Sequence, residues 1–173
     1  DTKFFSEING LDSMLLMSQA GMTGGDALVE VLNGTVNPSG KTSDTFVADL
    51  TATPTWNNFG YFKYDNMDEY AYTSNNFKTG EEETALPSFV NYVDGIYVGY
   101  RFYETAAAEG LINYDDTVVY PFGYGLSYTT FEYDNLQVKP DGATFTLRNT
   151  GKYDGAEIAQ LYVGLPGAKV FRP

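Results

Sequence analysis

The chain has 173 residues and carries 23 acidic against 10 basic side chains, which gives a net charge of −13. That balance argues against nucleic acid or an anionic membrane surface as a partner, because both are bound through lysine and arginine. The absence of cysteine excludes disulfides and thiolate chemistry, and the absence of histidine excludes a Ser-His-Asp triad within the chain. No apolar run approaches the roughly 20 residues that span a bilayer. Carboxylates remain as candidates for acid–base chemistry.

The first predicted unit combines a strand, a glycine turn and a helix. Residues 13–17 form a continuous apolar run, which is typical of a strand buried on both faces. A glycine-rich turn at residues 21–25 follows, and Asp26 or Thr23 can cap a helix that ends at Asn33-Gly34. The apolar face of this helix contains Ala27, Leu28, Val31 and Leu32. Strand, turn and helix together predict half of a βαβ unit.

The glycine turn also suggests a phosphate cradle at a helix N-terminus. Its spacing matches neither the dinucleotide fingerprint nor the P-loop, so we favour a turn that lets the helix pack closely on the preceding segment. Residues 37–41, Asn-Pro-Ser-Gly-Lys, predict a chain reversal, and residues 45–47 predict the next strand.

Residues 48–88 are predicted to be mainly irregular, since polar residues interrupt every apolar run. Many of the 27 Tyr and Phe residues lie here and in the following segment, which argues against disorder and for an excursion along a surface. Glu81, Glu82 and Glu83 form an acidic cluster that we interpret as solvated surface.

An aromatic segment at residues 89–103 contains the pair Tyr100 and Arg101. Arg101 can stack on a ring or bind a carboxylate, and we favour a buttressing salt bridge over direct substrate contact. Residues 104–109 predict one or two helical turns that stop at Gly110.

The segment Val-Tyr-Pro-Phe-Gly-Tyr-Gly-Leu-Ser-Tyr-Thr-Thr-Phe at residues 119–131, here called the aromatic strap, predicts a rigid connector between two units. Its four rings stand at even positions, so a fully extended run would place them on one side. These rings belong to Tyr120, Phe122, Tyr124 and Tyr128.

After the strap, two stretches alternate between apolar and polar residues, and the polar turn at residues 149–151 separates them. Such strands predict the beginning of a β-sandwich, although about three strands fit where such a sandwich needs around seven. We therefore expect the chain to stop inside a domain. The alternating apolar residues are Ala143, Phe145 and Leu147, then Ala159, Leu161 and Val163.

Several motifs in this order resemble glycoside hydrolase family 3: GMTGGDALVEVLNGTVNPSGK, FVNYVDGIYVGYRFY, the aromatic strap, and LRNTG followed by GAEIAQLYV. The resemblance implies that residues 1–132 are the C-terminal portion of an α/β sandwich domain with its connecting segment. This portion would comprise strand–helix–strand and a long aromatic-rich loop. Residues 133–173 would be the first strands of an incomplete, all-β fibronectin-III-like sandwich.

The resemblance also implies a function for the parent protein, the hydrolysis of terminal β-linked sugars with retention of configuration. In that family the nucleophile is an aspartate on a (β/α)₈ barrel, and the acid/base is a glutamate upstream of the part similar to residues 13–47. Neither motif occurs here, so we expect this chain to contribute no catalytic residue, no metal site and no cofactor site. Its expected partners are a β-linked oligosaccharide or glycoside, the missing barrel and the remaining sandwich domains.

We name four residues as candidate substrate-bordering side chains: Trp56, Phe59, Tyr61 and Arg101. The alternative is a non-catalytic carbohydrate-binding or scaffolding module, in which exposed aromatics such as Trp56, Phe59, Tyr61 and Tyr70 would stack on sugars. The half-finished second sandwich argues against an independent module.

Overall fold

The computed structural model describes residues 3–56, 64–165 and 167–168. Four α-helices and six strands lie in these ranges, together with short 3-10 turns at Leu50–Ala52 and Met67–Tyr70. In chain order the elements are α1 Lys3–Ser6, α2 Gly24–Leu32, β1 Phe46–Val47, β2 Tyr72–Asn75, β3 Glu82–Ala85, α3 Tyr100–Ala108, α4 Tyr114–Thr117, β4 Val118–Tyr120, β5 Phe131–Lys139 and β6 Gly142–Asn149. Among the described residues, no helix has the length and apolar character needed to cross a membrane.

The described strands pair into three antiparallel two-stranded sheets, β1 with β4, β2 with β3 and β5 with β6. β1 meets β4 with Phe46 opposite Tyr120, which joins the segment after α2 to the start of the aromatic strap. In the β5–β6 hairpin the register shifts between Asp134 and Gln137, where Asn135 takes a φ of 55°. This geometry is that of a β-bulge, which bends and twists the hairpin.

A small core lies where α3 and α4 pack near the β1–β4 pair. Val47, Tyr103 and Val118 are buried together, with exposures of 3%, 5% and 8%. Phe102, Ile112 and Tyr114 are partly buried against them. The prediction of a helix stopped at Gly110 is confirmed, and the helix begins earlier than predicted, at Tyr100. Its buried face, which includes Tyr103 and Ala106, supplies one wall of the core.

The predicted amphipathic helix is confirmed as α2. Thr23 precedes it without a side-chain cap, Asp26 lies in its first turn, and Gly34 ends it with a φ of 77°. A Cβ placed on Gly24 would overlap the Ala20 side chain, so this glycine permits the close approach that the turn predicted.

The predicted buried strand at residues 13–17 is wrong. This segment has no strand geometry, and Met14, Leu15 and Leu16 are 42%, 43% and 62% exposed. A strand buried on both faces needs neighbouring strands on both sides, and the described residues place none beside it. The apolar composition therefore indicated a surface that needs covering, and no partner strand for it occurs among the described residues.

The described part of residues 48–88 is mainly irregular, as predicted, but it includes one hairpin that the sequence did not indicate. The described part contains the β2–β3 hairpin, with Tyr72 opposite Ala85 and Asn75 opposite Glu82. The side-chain Oδ1 of Asn76 accepts hydrogen bonds from the amides of Lys78 and Thr79, and Asn76 Nδ2 donates to Glu83. This turn chemistry closes the hairpin, because an asparagine side chain can replace backbone partners in a tight loop.

The two alternating stretches after the strap have different outcomes. The first is confirmed as β6, paired with β5, which the sequence reading did not single out. The second is wrong as a strand, because residues 154–165 form no strand and Leu161 and Val163 are 69% and 84% exposed. Alternation indicates a side-chain pattern, but a strand exists only where a neighbour completes its hydrogen bonds.

The aromatic strap is not fully extended, so its four rings do not all lie on one side. The Tyr124 amide donates to the Pro121 carbonyl, and Gly123 takes a φ of 78°, which makes a tight turn. Tyr120 contacts Phe46 and Tyr124, whereas Phe122 contacts Tyr100 on α3. The turn thus directs the rings to different elements.

Candidate functional site

Three segments that are distant in sequence meet at one place, which we call the junction: residues 37–42, 121–130 and 149–160. Asn37 connects all three through one side chain. Its Nδ2 donates to the Asp154 carbonyl at 3.0 Å, while its Oδ1 accepts from the Ser127 hydroxyl at 3.0 Å and from the Tyr128 amide at 2.8 Å. The asparagine of the Asn-Pro-Ser-Gly-Lys turn therefore fixes the strap relative to the loop after β6.

Lys41 reinforces the same contact with a charge. Its Nζ donates to the Gly125 carbonyl at 2.7 Å and lies 3.1 Å from Glu157 Oε1. The two charged side chains are only 14% and 13% exposed. Thr42 adds four hydrogen bonds to the strap: its hydroxyl donates to the Pro121 carbonyl and accepts from the Tyr124 amide, its amide donates to the Tyr124 carbonyl, and its carbonyl accepts from the Gly123 amide. Partly buried charges that are paired and hydrogen-bonded hold their segments in one relative position.

Glycines allow the segments of the junction to lie close together. A Cβ on Gly125 would overlap the Gly40 carbonyl oxygen, and one on Gly151 would overlap the Thr129 hydroxyl. The backbone at both positions lies closer to its neighbour than any side chain permits. The strap glycine identified in the sequence thus serves packing across the junction.

An open cleft of about 390 Å³ borders the junction. The rings of Tyr100 and Phe122 have centroids 5.1 Å apart at an interplanar angle of 31°. Tyr162 meets Tyr100 edge-on, with centroids 5.8 Å apart and planes at 86°. Pro121 and Glu104 complete the lining. Tyr100 and Glu104 lie one helical turn apart on α3, so they face the same side.

Two phenols beside the cleft, those of Tyr114 and Tyr162, have raised pKa values. Burial, followed by a hydrogen bond to the Glu104 carboxylate and the charges of Glu104 and Asp115, raises the pKa of Tyr114 to about 12. Burial, and then Tyr100 and Glu104, raise the pKa of Tyr162. Desolvation and negative neighbours both favour the neutral phenol. Glu104 is the carboxylate that contributes to the raised pKa of both phenols.

Of the four residues predicted to border a substrate, the structure describes two. Arg101 places its guanidinium 5.5 Å from the centroid of the Tyr100 ring. The predicted salt bridge of Arg101 is absent among the described residues, whose ion pair joins Lys41 and Glu157. Trp56 is 52% exposed. Phe59 and Tyr61 lie outside the described residues.

Of the predicted residues that the structure describes, neither Trp56 nor Arg101 lines the cleft, although Arg101 adjoins it through Tyr100. Sequence reasoning missed Glu104, Phe122 and Tyr162 as cleft residues. The spacing of Tyr100 and Glu104 in an alanine-rich helix was a usable signal for the first; no local pattern connects Tyr162 to α3.

The described lining of the cleft contains one carboxylate, that of Glu104. A retaining glycosidase uses two carboxyl groups about 5–5.5 Å apart. Within the part of the chain that the structure describes, no group of three or more His, Cys, Asp or Glu side chains is placed to hold a metal ion.

Comparison with known proteins gives the family. The sequence model of the glycosyl hydrolase family 3 C-terminal domain matches residues 3–128. The chain is 34% identical to β-glucosidase A from Butyrivibrio fibrisolvens over 100% of its length, and 37% identical to an exo-α-(1→6)-L-arabinopyranosidase from Bifidobacterium longum over 94%. It spans 20% and 17% of those two relatives.

A solved structure is similar as well. β-Glucosidase 3B from Thermotoga neapolitana, in complex with glycerol, superposes with a TM-score of 0.56 at 37% sequence identity. The superposition covers 81% of this chain and 16% of that enzyme. With the family match over residues 3–128, these likenesses confirm the resemblance found in the motifs. The chain belongs to glycoside hydrolase family 3.

Proposed function

We propose that this chain is a non-catalytic segment of a retaining β-glycosidase that hydrolyses terminal β-linked sugars. In this proposal residues 1–132 are the C-terminal portion of an α/β sandwich domain, and residues 133–173 begin a fibronectin-III-like domain. The junction would hold the two together, through Asn37 and the Lys41–Glu157 pair. The family match over residues 3–128 and the β-glucosidase relatives support it.

One observation carries the proposal: the chain has the family's connecting motifs, while neither catalytic segment occurs in its sequence. The (β/α)₈ barrel with its aspartate and the upstream glutamate loop would lie in the rest of the protein. A single carboxylate lining the described cleft agrees with this division. The role of this chain is then to position domains.

The exposed apolar surface also supports the proposal that this chain is one part of a larger enzyme. The chain exposes 13794 Å², whereas a folded monomer of this length exposes about 8400 Å². Exposed large side chains occur in every part of the described chain, including Leu16, Phe89 and Leu161 at 62%, 55% and 69%. We propose that the remaining domains of the enzyme cover these faces.

A smaller part of the proposal concerns substrate. Trp56, Phe59, Tyr61 and Arg101 are proposed to border a sugar subsite in the assembled enzyme. The exposed ring of Trp56 supports this, because flat aromatic rings stack on sugar faces. The Trp56→Ala change in the intact enzyme is expected to raise KM with little change in kcat, which is the signature of lost uniform binding. Phe77→Ala, at a ring that is 103% exposed on the hairpin tip, serves as the control.

Turnover assays test the main proposal. The protein made from its whole reading frame is expected to hydrolyse aryl β-glucosides or β-xylosides, while the 173-residue chain alone releases no product. An aryl α-L-arabinopyranoside belongs in the panel because one relative is named for that activity. Product release by the purified chain that disappears on changing one of its own carboxylates would overturn the proposal.

A further inference from the structure

The cleft beside α3 has a composition that domain positioning does not require. Three aromatic rings and one carboxylate face it, those of Tyr100, Phe122, Tyr162 and Glu104. They come from three different segments: α3, the aromatic strap and the loop after β6. We call these four residues the aromatic cage.

The ring geometry decides what kind of ligand fits. Tyr162 stands at 86° to Tyr100, and Phe122 is tilted by 31° from it. A sugar stacks on one flat ring face, whereas a cation is attracted by the faces of several rings set at angles around it. Rings at right angles make a corner, and a corner favours a compact positive group.

The Glu104 carboxylate is exposed at the cleft and available to such a group. A hydrogen bond to this carboxylate is one cause, after burial, of the raised pKa of Tyr114. Among the described residues Glu104 forms no ion pair; the pair found there joins Lys41 to Glu157. A carboxylate beside aromatic rings binds an ammonium or guanidinium group through charge-assisted hydrogen bonds and cation–π attraction together.

A second acidic residue, Asp115, lies near enough to contribute, with burial and Glu104, to the raised pKa of Tyr114. Its negative charge adds to the attraction for a cation. One positive group close to the cage is Arg101, whose guanidinium lies 5.5 Å from the Tyr100 centroid. That contact shows that the Tyr100 ring accepts a cation on its face.

We propose that the aromatic cage binds an organic cation, through an alkylammonium or guanidinium group. The cation has two possible sources, a free amine or a lysine or arginine side chain from another part of the protein. Both sources place the positive group against the rings of Tyr100, Phe122 and Tyr162 and beside the Glu104 carboxylate. The proposal does not rest on glycoside hydrolysis, so its test is a binding measurement.

Choline and its uncharged isostere 3,3-dimethylbutan-1-ol are the probes, titrated into the intact protein by calorimetry, with glucose as a third ligand. Choline is expected to bind at least about tenfold more tightly than the isostere, because the shapes match and the charge differs. Glu104→Gln is expected to weaken the binding of choline about tenfold. The matched control is Glu109→Gln, which removes the same charge at the end of α3 outside the cleft and should leave binding unchanged.

The second arm identifies a cation supplied by the protein itself. If a lysine or arginine side chain fills the cage, choline does not bind, and Glu104→Gln lowers Tm more than Glu109→Gln at low salt. That difference shrinks at high salt, because screening weakens the charge pair. If Glu104→Gln folds poorly, Phe122→Leu replaces it, because this change removes one ring of the cage. It is expected to weaken choline binding if the cage is free, or to lower Tm if a side chain of the protein fills the cage.

Three results overturn the proposal. The first is equal binding of choline and its isostere. The second is glucose binding in the absence of choline binding, which would make the cleft a sugar site. The third is no choline binding together with equal melting of Glu104→Gln and Glu109→Gln at every salt concentration.

Discussion

The junction and the excursion at residues 64–98 differ in how far along the chain their hydrogen bonds reach. In the junction, Asn37 bonds to Asp154 and Tyr128, and Lys41 bonds to Gly125. In the described excursion, the hydrogen bonds found stay within the segment, as in the Asn76–Glu83 contact and the β2–β3 pairing. Segments held by distant partners open only when large parts of the structure open, whereas locally bonded segments open by themselves.

This difference separates the two parts of the sequence that carry aromatic residues. The strap rings lie in or next to the junction and contact Phe46, Tyr100 and one another. The excursion rings are more exposed, as at Tyr70, Phe77 and Tyr92 with 63%, 103% and 88%. Aromatic content alone therefore does not distinguish an internal connector from an uncovered surface.

The largest expected effect comes from a glycine in the junction. Gly125→Ala would push a methyl group into the Gly40 carbonyl, so the opening free energy of the junction should fall by about 3 kcal/mol. Native-state hydrogen exchange at the Tyr124 amide measures it. Gly142→Ala, at a position with open space around it, should change that value by less than about 1 kcal/mol. Equal effects of the two substitutions would contradict the close approach.

Two asparagines with three side-chain hydrogen bonds each compare the regions directly. Asn37→Ala should lower protection of the Tyr128 amide by about 2 kcal/mol, because its bonds span the junction. Asn76→Ala removes as many bonds but within one hairpin, so faster exchange should stay inside residues 72–85. A uniform effect of Asn76→Ala across the protein would remove the distinction between the regions.

The Lys41–Glu157 pair should show a smaller coupling. A double-mutant cycle with Lys41→Met and Glu157→Gln is expected to give about 1 kcal/mol, since both side chains are mostly buried and bonded. The cycle is read from hydrogen exchange in the junction at low and high salt. A coupling energy of zero at low salt would show that the ion pair does not stabilise the junction.

The smallest effect is a pH dependence at Tyr114. Because its pKa is raised from 10.0 to about 12 in the fold, the folded state binds this proton more tightly than the unfolded state. Its contribution to stability is complete below pH 10 and falls as the pH rises toward 12. Tyr114→Phe should remove that part of the alkaline loss in a melting series. An unchanged alkaline profile would show that this phenol titrates normally.

Local patterns predicted the elements whose evidence lies within the element. The apolar face and glycine stop of α2, the alternation of β6 and the turn at Gly110 all follow from neighbouring residues. The strands predicted at residues 13–17 and 159–163 were wrong for the opposite reason. A strand depends on a partner strand, and in those places the described chain supplies none.

The candidate site was less predictable than the fold. Tyr100 and Glu104 share a helix face that the spacing shows, but Tyr162 reaches the cleft because the loop after β6 crosses the strap. Arg101 was predicted to form a salt bridge and instead lies over a neighbouring ring. Whether a guanidinium binds a carboxylate or stacks on a ring depends on which of them the tertiary structure places beside it, and the sequence pattern does not contain that information.

The central claim is that the catalytic carboxylates lie outside this chain, and trapping the reaction intermediate tests it most directly. A retaining glycosidase forms a covalent glycosyl-enzyme, which a fluorinated glycoside with a good leaving group accumulates for mass spectrometry. Peptide mapping of the intact protein should place the sugar on an aspartate outside residues 1–173, with the peptides of this chain unlabelled. A glycosylated aspartate or glutamate within residues 1–173 would contradict the account.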